Sequence, residues 1–299
     1  MEKLDILIIG AGPSGVTSAI YAKRAGLNFL LMEKSAIGGK VIDIFELENY
    51  PGVEGMSGSD LALTFRKQIK QLKIPFVRDE VLYIKQDNNL FIVKTLKNEY
   101  EVNKIIVACG TKENNLGLDS EQKFLGRGVS YCATCDGSFY KDKKVVVYGG
   151  GNSAISEALY LSNIVKELVI ISRHDLRGEK ENTNKLLSLP NVTHIKNSTI
   201  IELNGENSLE NIKIKNDKEE ITTITTDGVF VYIGSKPELS FLNSLNLNKE
   251  NGYLIVNNHF ETNIKNIYAI GDCINKELRQ IVTATSDGAL VIDHIIKSK

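Results

Sequence analysis

Two glycine-rich turns, each placed between a short apolar run and a segment with helical spacing, constrain the fold of this chain most strongly. The sequence G-A-G-P-S-G occupies 10–15, and G-G-G-N-S-A occupies 149–154. The runs before them, 4–9 and 144–148, are of the kind that forms a buried parallel strand. Strand, glycine turn and helix together open a dinucleotide-binding βαβ unit. The chain is therefore predicted to be α/β, with two Rossmann-like (three-layer ββα) dinucleotide-binding domains.

Each glycine of the first turn has a physical role in this interpretation. Gly10 allows the tight turn, Gly12 lets the backbone approach a pyrophosphate, and Gly15 lets the helix pack closely on the strand. Glu33 ends the next strand about 20 residues further on, where an acid that binds the ribose is expected. These features predict a dinucleotide site. The alternative is a glycine turn in an α/β protein that binds no nucleotide.

The second turn is followed by basic residues at the place where a nucleotide 2′-phosphate would be held. The next strand, 168–171, runs directly into S-R-H-D-L-R at 172–177, which contains Arg173 and Arg177. Cations at the end of this strand favour NADPH over NADH. A solvated charge cluster is the alternative interpretation.

A Cys-x-x-Cys pair, Cys132 and Cys135, lies before the second turn and is followed directly by Asp136. A zinc site needs four ligands, and the sequence has no second Cys or His pair at short spacing, so no metal is expected. Two inert buried cysteines are another alternative. A redox pair fits best, because the spacing permits a disulfide and Asp136 can move a proton as a thiolate forms. Asp136 is otherwise a turn residue before Gly137.

Composition excludes several classes of partner. The 299 residues carry a formal net charge of -1, so no global basic field points to nucleic acid or to an anionic membrane. No run approaches the roughly 18 apolar residues of a membrane span. The N-terminal residues lack a signal-peptide layout. The protein is therefore expected to be cytoplasmic, where a purely structural disulfide is uncommon.

Between the two turns, the pattern predicts one helix and several strands. Asp60 is expected to cap an amphipathic helix over 60–72. Cys109 is expected to be a small buried apolar residue. A linker is expected at 112–115. Strands are predicted at 76–84, 90–95 and 99–102, as a small antiparallel layer, and at 104–108 as a separate buried strand.

With these features in place, the chain resembles low-molecular-weight thioredoxin reductases over almost its whole length. The resemblance rests on G-A-G-P-S-G (10–15), E-N-Y-P-G (48–52), C-A-T-C-D (132–136), G-G-G-N-S-A (149–154), G-D-C (271–273) and R-Q-I (279–281). It implies a discontinuous FAD-binding domain of residues 1–112 and 238–299. Residues 113–237 would be a pyridine-nucleotide-binding-like domain, inserted into the first and carrying the dithiol. It also implies a homodimer with thioredoxin as its partner.

The resemblance implies roles for individual residues as well. Glu33 would hold the adenosine ribose, the Val81 backbone would meet the adenine, and Asp272 would bind the ribityl or pyrophosphate region. The implied FAD-binding residues are Gly10, Gly12, Pro13, Ser14, Gly15, Glu33, Lys34, Gly39, Lys40, Asn49, Val81, Gly110, Gly271, Asp272, Arg279, Gln280 and Ile281. The implied NADPH-binding residues are Gly149, Gly151, Asn152, Ser153, Ala154, Arg173 and Arg177.

Two departures from the family pattern bear on the electron donor. The family's H-R-R-x-x-x-R segment is S-R-H-D-L-R here, with one arginine and one residue fewer. Losing a charge-assisted contact weakens binding by about 1.5–3 kcal/mol. Lys40 stands where the family has glutamine, which would place a positive charge near the flavin. NADPH remains the favoured donor, and reduced ferredoxin, which some relatives use, is the alternative.

The resemblance implies a reaction. A donor reduces FAD, electrons pass to the Cys132–Cys135 disulfide, and the dithiol reduces thioredoxin. Cys132 would form the mixed disulfide with the partner, and Asp136 would move the proton. Three alternatives stay open: a reductase for another small redox protein, a flavin- or nucleotide-binding module with a regulatory dithiol, and a structural zinc protein.

Overall fold

The computed structural model describes residues 2–44, 46–47, 49–53 and 55–298. Glu48 of the E-N-Y-P-G motif therefore lies outside the described residues. The chain divides into two compact units: unit 1 comprises Met1–Lys112 and Lys236–Lys299, and unit 2 comprises Glu113–Ser235. Across the described residues, no helix is both long enough and apolar enough to cross a membrane.

The elements follow one another as in an α/β chain. The first part of unit 1 contains β1 (Glu2–Ile9), α1 (Pro13–Arg24), β2 (Phe29–Glu33), α2 (Gly58–Gln71), β3 (Phe76–Arg78), β4 (Val81–Asp87), β5 (Leu90–Thr95) and β6 (Glu99–Val107). After β7 (Lys112–Glu113) come α3 (Glu121–Phe124), β8 (Val129–Ser130), α4 (Ala133–Asp136), β9 (Lys144–Tyr148), α5 (Asn152–Ser162), β10 (Glu167–Ile171), α6 (Lys180–Leu187), β11 (Val192–Ile195), β12 (Ser198–Asn204), β13 (Asn211–Asn216), β14 (Ile221–Thr225) and β15 (Gly228–Val231).

The chain then returns to unit 1. The strand β16 (Ser235–Lys236) spans the boundary, and the last elements of unit 1 are β17 (Lys249–Glu250), β18 (Tyr253–Leu254), β19 (Ile267–Ala269) and α7 (Ile281–Lys297). Short 3-10 helices occur at Gly39–Asp43, Gly137–Tyr140, Ser240–Leu242 and Gly271–Cys273. The short strands β16 and β7 pair with each other.

Strand β6 is the centre of the unit 1 sheet. The sheet order is β3-β2-β1-β6-β5-β4, and β19 also pairs with β6. The pairs made by β1 with β2 and β6, by β2 with β3 and by β19 with β6 are parallel, whereas β5 pairs antiparallel with both β6 and β4. Alternate residues of β1 enter different cores: Ile6 and Ile8 join the one lined by α1 and α7, and Leu7 and Ile9 join the other.

Unit 2 repeats this plan with a smaller sheet. Its parallel strands run β11-β10-β9-β15-β8, and β12-β13-β14 form a separate antiparallel sheet. Val145 and Val147 of β9 pack with α5, whereas Val146 packs with residues of the antiparallel sheet. The prediction of an α/β protein with two Rossmann-like domains, the second inserted into the first, is confirmed.

Several local predictions were wrong. Ser57, not Asp60, caps α2, and its hydroxyl accepts the Asp60 N–H at 3.1 Å. The region 76–84 forms two strands, because β3 pairs with β2 while β4 pairs with β5. Conversely, 99–102 and most of the predicted strand 104–108 belong to the single long strand β6, which ends at Val107. By contrast, Cys109 is partly buried and packs against the core that contains Leu7 and Ile9, which agrees in part with the prediction of a small buried apolar residue.

Candidate functional site

The Cys132–Cys135 pair forms a disulfide, with its Cα atoms 5.3 Å apart. Cys132 is the N-cap of the one-turn helix α4, and Cys135 lies within that helix. The Cys132 Sγ accepts the Cys135 N–H at 3.2 Å and lies 3.3 Å from the Thr134 hydroxyl. Cys132 is partly buried, whereas Cys135 is exposed. The short helix thus places two polar hydrogens on one sulfur of the disulfide.

Ser130 ties Asp136 to the start of the same turn. The Ser130 hydroxyl donates to Asp136 Oδ2 at 2.7 Å and accepts the Cys132 N–H at 3.1 Å. The Asp136 N–H donates to the Cys132 carbonyl at 3.1 Å. Burial, followed by the charge of Asp136, raises the pKa of Tyr140. The predicted acid–base residue is therefore fixed beside the disulfide backbone by a neighbouring hydroxyl.

Two tyrosines anchor the residues on either side of Cys132. The fully buried Ala133 donates its N–H to the Tyr232 hydroxyl at 2.8 Å. The Tyr131 hydroxyl donates to the buried carboxylate of Glu121, which also accepts the Gly117 N–H at 2.9 Å. Burial, and then the bond to Glu121, raises the pKa of Tyr131. The hydrogen bonds of Tyr131 and Ala133 therefore fix the backbone on both sides of Cys132 within unit 2.

An exposed aromatic side chain follows the disulfide. Phe139 lies in the 3-10 helix Gly137–Tyr140 and is 72% exposed. Gly137 is buried beneath it, where an added Cβ would lie 3.0 Å from the Leu161 side chain. An exposed aromatic ring four residues after the exposed Cys135 is available for contact with another protein.

In unit 1, the first glycine turn has close backbone packing. A Cβ on Gly10, whose φ is +107°, would lie 2.3 Å from the Ala108 carbonyl oxygen, and one on Gly15 would lie 1.9 Å from the Gly10 oxygen. Gly12 caps α1 and has nothing within 4 Å of its Cβ position. Pro13 begins α1, and Ser14 is buried. The turn is thus tight where it packs and open at the start of the helix, as a phosphate site requires.

Glu33, at the end of β2, is joined to this turn. Its Oε2 accepts the Ala11 N–H at 2.8 Å, and its Oε1 accepts the Ser35 N–H at 2.8 Å. The next residue, Lys34, bonds Glu238 at 2.5 Å. That bond raises the pKa of Lys34 and lowers the pKa of Glu238.

Two further motifs meet the first turn. A Cβ on Gly39 would lie 3.4 Å from the Gly12 Cα, and one on Gly271 would lie 2.6 Å from the Ser14 hydroxyl. The Gly271 N–H donates to Asp287 Oδ2 at 2.9 Å. These contacts bring the G-G-K and G-D-C segments beside the G-A-G-P-S-G turn.

Asp272, in the G-D-C segment, has a buried carboxylate oxygen. Its Oδ1 has no hydrogen-bond partner among the described residues. Burial raises the pKa of Asp272, opposed by the charges of Lys276, Lys40 and Arg279. A hydroxyl donor on a bound molecule would satisfy this oxygen.

The remaining residues predicted to bind FAD occupy other positions in unit 1. Asn49 Nδ2 lies 3.3 Å from Gln280 Oε1, so these two predicted residues are brought together. Lys40 Nζ lies 3.3 Å from the Thr111 hydroxyl. Arg279 stacks on Tyr253, 4.0 Å from the ring centroid. Ile281 begins α7, Val81 begins β4, and Gly110 has a φ of +63°.

The second glycine turn, in unit 2, has the same construction as the first. A Cβ on Gly149 would lie 2.2 Å from the Tyr232 carbonyl oxygen, and Gly151, the N-cap of α5, again has open space. Ala154 is fully buried, and Ser153 is exposed. Asn152 Oδ1 accepts the Glu179 N–H at 2.7 Å.

The basic segment after β10 lies close to this second turn. The Arg177 N–H donates to the Gly150 carbonyl at 2.6 Å, and the side chains of Arg173 and Arg177 are exposed. Ser172 is buried, and its hydroxyl lies 2.8 Å from His194 Nε2. Burial lowers the pKa of His194. The sequence predicted the place of these two arginines but not the Ser172–His194 pair.

Sequence reasoning missed the groups that hold the site in shape. Ser130 and Thr134 are close to the disulfide in sequence, but their residue types alone do not indicate a contact with Asp136 or with sulfur. Tyr232 lies far along the chain from Ala133, and Asp287 lies in α7, away from Gly271. A helix pattern gives no signal for a hydrogen bond to a distant turn.

Comparison with known proteins identifies the class. Residues 4–288 match the family described as pyridine nucleotide-disulphide oxidoreductase, and the chain belongs to this family. It is an oxidoreductase that acts on a disulfide.

Within that class, the chain is similar to proteins named thioredoxin reductase. A thioredoxin reductase of Mycoplasma pneumoniae is 40% identical over 292 residues, covering 96% of this chain and 93% of the relative. The crystal structure of Lactococcus lactis thioredoxin reductase has a TM-score of 0.95 at 33% identity and covers 98% of both chains. A ferredoxin-flavin thioredoxin reductase from Clostridium acetobutylicum is 32% identical, with a TM-score of 0.56, covering 100% of this chain and 98% of the other.

Proposed function

We propose that this chain is a thioredoxin-disulfide reductase, in which unit 1 binds FAD and the Cys132–Cys135 disulfide of unit 2 passes electrons to thioredoxin. The observation that carries the proposal is the disulfide itself, whose Cys135 is exposed on a one-turn helix. The nearly full-length similarity to proteins named thioredoxin reductase selects thioredoxin as the substrate class.

The residues of unit 1 fit FAD. Open space at Gly12, beside the amides of the α1 N-terminus, suits a pyrophosphate. Glu33 presents a carboxylate next to the same turn for the ribose hydroxyls. The buried Asp272 Oδ1 suits a hydroxyl of the ribityl chain. When bound, FAD would supply two-electron chemistry, and these residues would hold and orient it.

Electrons pass from the Cys132–Cys135 pair to the partner by thiol–disulfide exchange. The Cys132–Cys135 bond takes up two electrons and two protons and becomes a dithiol. The Cys132 thiolate then attacks the partner's disulfide, forms a mixed disulfide and releases one partner thiolate. The Cys135 thiolate attacks Cys132 Sγ, which restores the original disulfide and releases the reduced partner. Asp136, held by Ser130, would carry the proton to or from these sulfurs.

The partner-facing surface and the assembly also belong to this proposal. Exposed Phe139 would contact thioredoxin next to the reacting sulfurs. Homodimerisation and cytoplasmic localisation stay predictions based on the sequence.

NADPH is the donor that we favour. The tight Gly149 turn, the open position at Gly151 and the two exposed arginines support it. Reduced ferredoxin is the second candidate, supported by the missing arginine and by the similarity to the ferredoxin-flavin enzyme. Anaerobic mixing with NADPH, NADH or reduced ferredoxin, followed by flavin absorbance, tests the donor. Bleaching by ferredoxin alone would refute our preference.

The disulfide assignment is tested by replacing each cysteine singly. Cys132→Ser and Cys135→Ser should each abolish turnover of thioredoxin disulfide while FAD remains bound. Cys273→Ser, which removes a buried thiol outside the pair, is the matched control and should retain turnover. Unchanged turnover in either Cys132→Ser or Cys135→Ser would eliminate the scheme.

A further inference from the structure

We propose that Thr134 is a positioning residue whose hydroxyl stabilises the thiolate of Cys132, and so makes this sulfur the one that leaves and attacks. The proposal rests on the thiol–disulfide exchange proposed above. Its geometric basis is the 3.3 Å separation between Thr134 Oγ1 and Cys132 Sγ.

The direction of this hydrogen bond follows from the chemistry of the disulfide. Cys132 Sγ is bonded to Cβ and to the other sulfur, so it carries no hydrogen and can only accept. The Thr134 hydroxyl is therefore the donor. The Cys135 N–H, at 3.2 Å, supplies a second donor to the same sulfur. Both donors are in place before the disulfide opens.

Opening the disulfide places negative charge on this sulfur. When the two electrons of the reaction proposed above enter at Cys135, the S–S bond breaks and both sulfurs become thiolates, with Cys132 as the leaving group. Hydrogen bonds to a charged acceptor are stronger than those to a neutral one, so the contact with Thr134 gains strength as the bond breaks. Exchange is faster when the leaving thiol has a lower pKa.

The hydrogen bond from Thr134 also affects the next step, in which Cys132 attacks the partner's disulfide. A larger thiolate fraction at Cys132 raises the concentration of the species that attacks the partner's disulfide. In that step Cys132 gains a bond to one partner sulfur, and the other partner sulfur leaves with the electron pair. Thr134 itself gains and loses no electrons and contributes only a hydrogen bond.

Other titratable groups lie around this turn and must be separated from the effect. Asp136 is at the end of the same helix, Tyr131 precedes Cys132, and Tyr232 bonds Ala133. None of these is altered by substitution at Thr134. Valine has nearly the shape of threonine without the donor, and serine keeps the donor without the methyl group.

The test measures the thiolate of Cys132 directly, without FAD turnover or thioredoxin. In Cys135→Ser protein, the rate of Cys132 alkylation by iodoacetamide is followed against pH, with the modified peptide identified by mass spectrometry. Thr134→Val is expected to raise the pH midpoint by about one unit, the effect of losing one charge-assisted hydrogen bond. Thr134→Ser should restore the original midpoint.

The opposite background supplies the control. In Cys132→Ser protein, Thr134→Val should leave the alkylation midpoint of Cys135 in place. An unchanged Cys132 midpoint in Thr134→Val, or equal shifts at both cysteines, would overturn the proposal. If the valine variant does not fold, Thr134→Ala in the same backgrounds applies the same criterion. A Cys132 shift without thioredoxin turnover in the parent enzyme would refute the proposed function and leave the role of Thr134 intact.

Discussion

Replacing Asp287 by alanine is expected to destabilise unit 1 by about 3–5 kcal/mol, because it leaves the mostly buried ammonium of Lys276 without its partner. The carboxylate accepts from Lys276 Nζ at 2.7 Å and from the Gly271 N–H at 2.9 Å. The two side chains of the ion pair are only 16% and 12% exposed. Water therefore screens this pair much less than a surface pair.

The magnitude can be apportioned with a double-mutant cycle. Lys276→Met alone should cost about 3 kcal/mol, since it leaves the Asp287 carboxylate buried with one fewer hydrogen bond. The variant carrying both Lys276→Met and Asp287→Ala should lose less than the sum of the two single changes, by at least about 1.5 kcal/mol. The destabilisation that remains in the double variant comes chiefly from the unsatisfied Gly271 N–H, which costs about 1–3 kcal/mol.

Thermal unfolding of the FAD-free protein, with tryptic digestion to follow unit 1 separately, measures each corner of the cycle. For a unit of this size, 1 kcal/mol corresponds to about 2–4 °C in Tm, so Asp287→Ala should lower Tm by roughly 6–20 °C. Exposed Asp293→Ala, also in α7, is the matched control and should change Tm little. Strictly additive single changes would refute the reasoning.

Three further changes probe other groups. Burial raises the pKa of Asp272 above its ordinary value of 3.8, so the folded protein binds a proton on this carboxylate more tightly than the unfolded chain does. The free energy of unfolding therefore falls as the pH rises from 3.8 through the raised pKa. Asp272→Asn should therefore stabilise the FAD-free protein at pH 7 but not near pH 3 in urea titrations, while weakening FAD binding. Tyr232→Phe removes the acceptor for Ala133 N–H, and hydrogen exchange at that amide should accelerate about tenfold or more. Arg177→Ala should raise KM for NADPH about tenfold and leave KM for NADH unchanged, and equal effects would contradict a 2′-phosphate contact.

The sequence was most informative where local pattern and chemistry coincide. The apolar runs before Gly10 and Gly149 formed parallel strands, and a helix followed each turn. These turns depend on close backbone approach, which glycine spacing records directly. The pair Cys132 and Cys135 was likewise visible, because a disulfide at this spacing depends on a few consecutive residues.

The features that the sequence did not predict depend largely on contacts between residues far apart in the chain. The segments 99–102 and 104–107 differ in pattern, yet they form one strand because β6 pairs with β5 at its start and with β19 at its end. Asp60 has a side chain that can cap a helix, but α2 begins earlier, at Gly58. The Ser57 hydroxyl is the N-cap and accepts the backbone N–H of Asp60. The hydrogen bond from Ala133 to Tyr232 has no signature in either stretch of sequence.

The position of β19 and α7 at the end of the chain has a consequence for biosynthesis. β19 pairs with β6, and a Cβ on Gly288 of α7 would lie 2.3 Å from the Ser14 carbonyl oxygen, so unit 1 is completed by residues that follow unit 2 in the chain. Unit 2 contains only residues 113–235, so all of its strands are translated before β19. The nascent chain can thus complete unit 2 while the sheet of unit 1 still lacks β19 and leaves part of the β6 edge open.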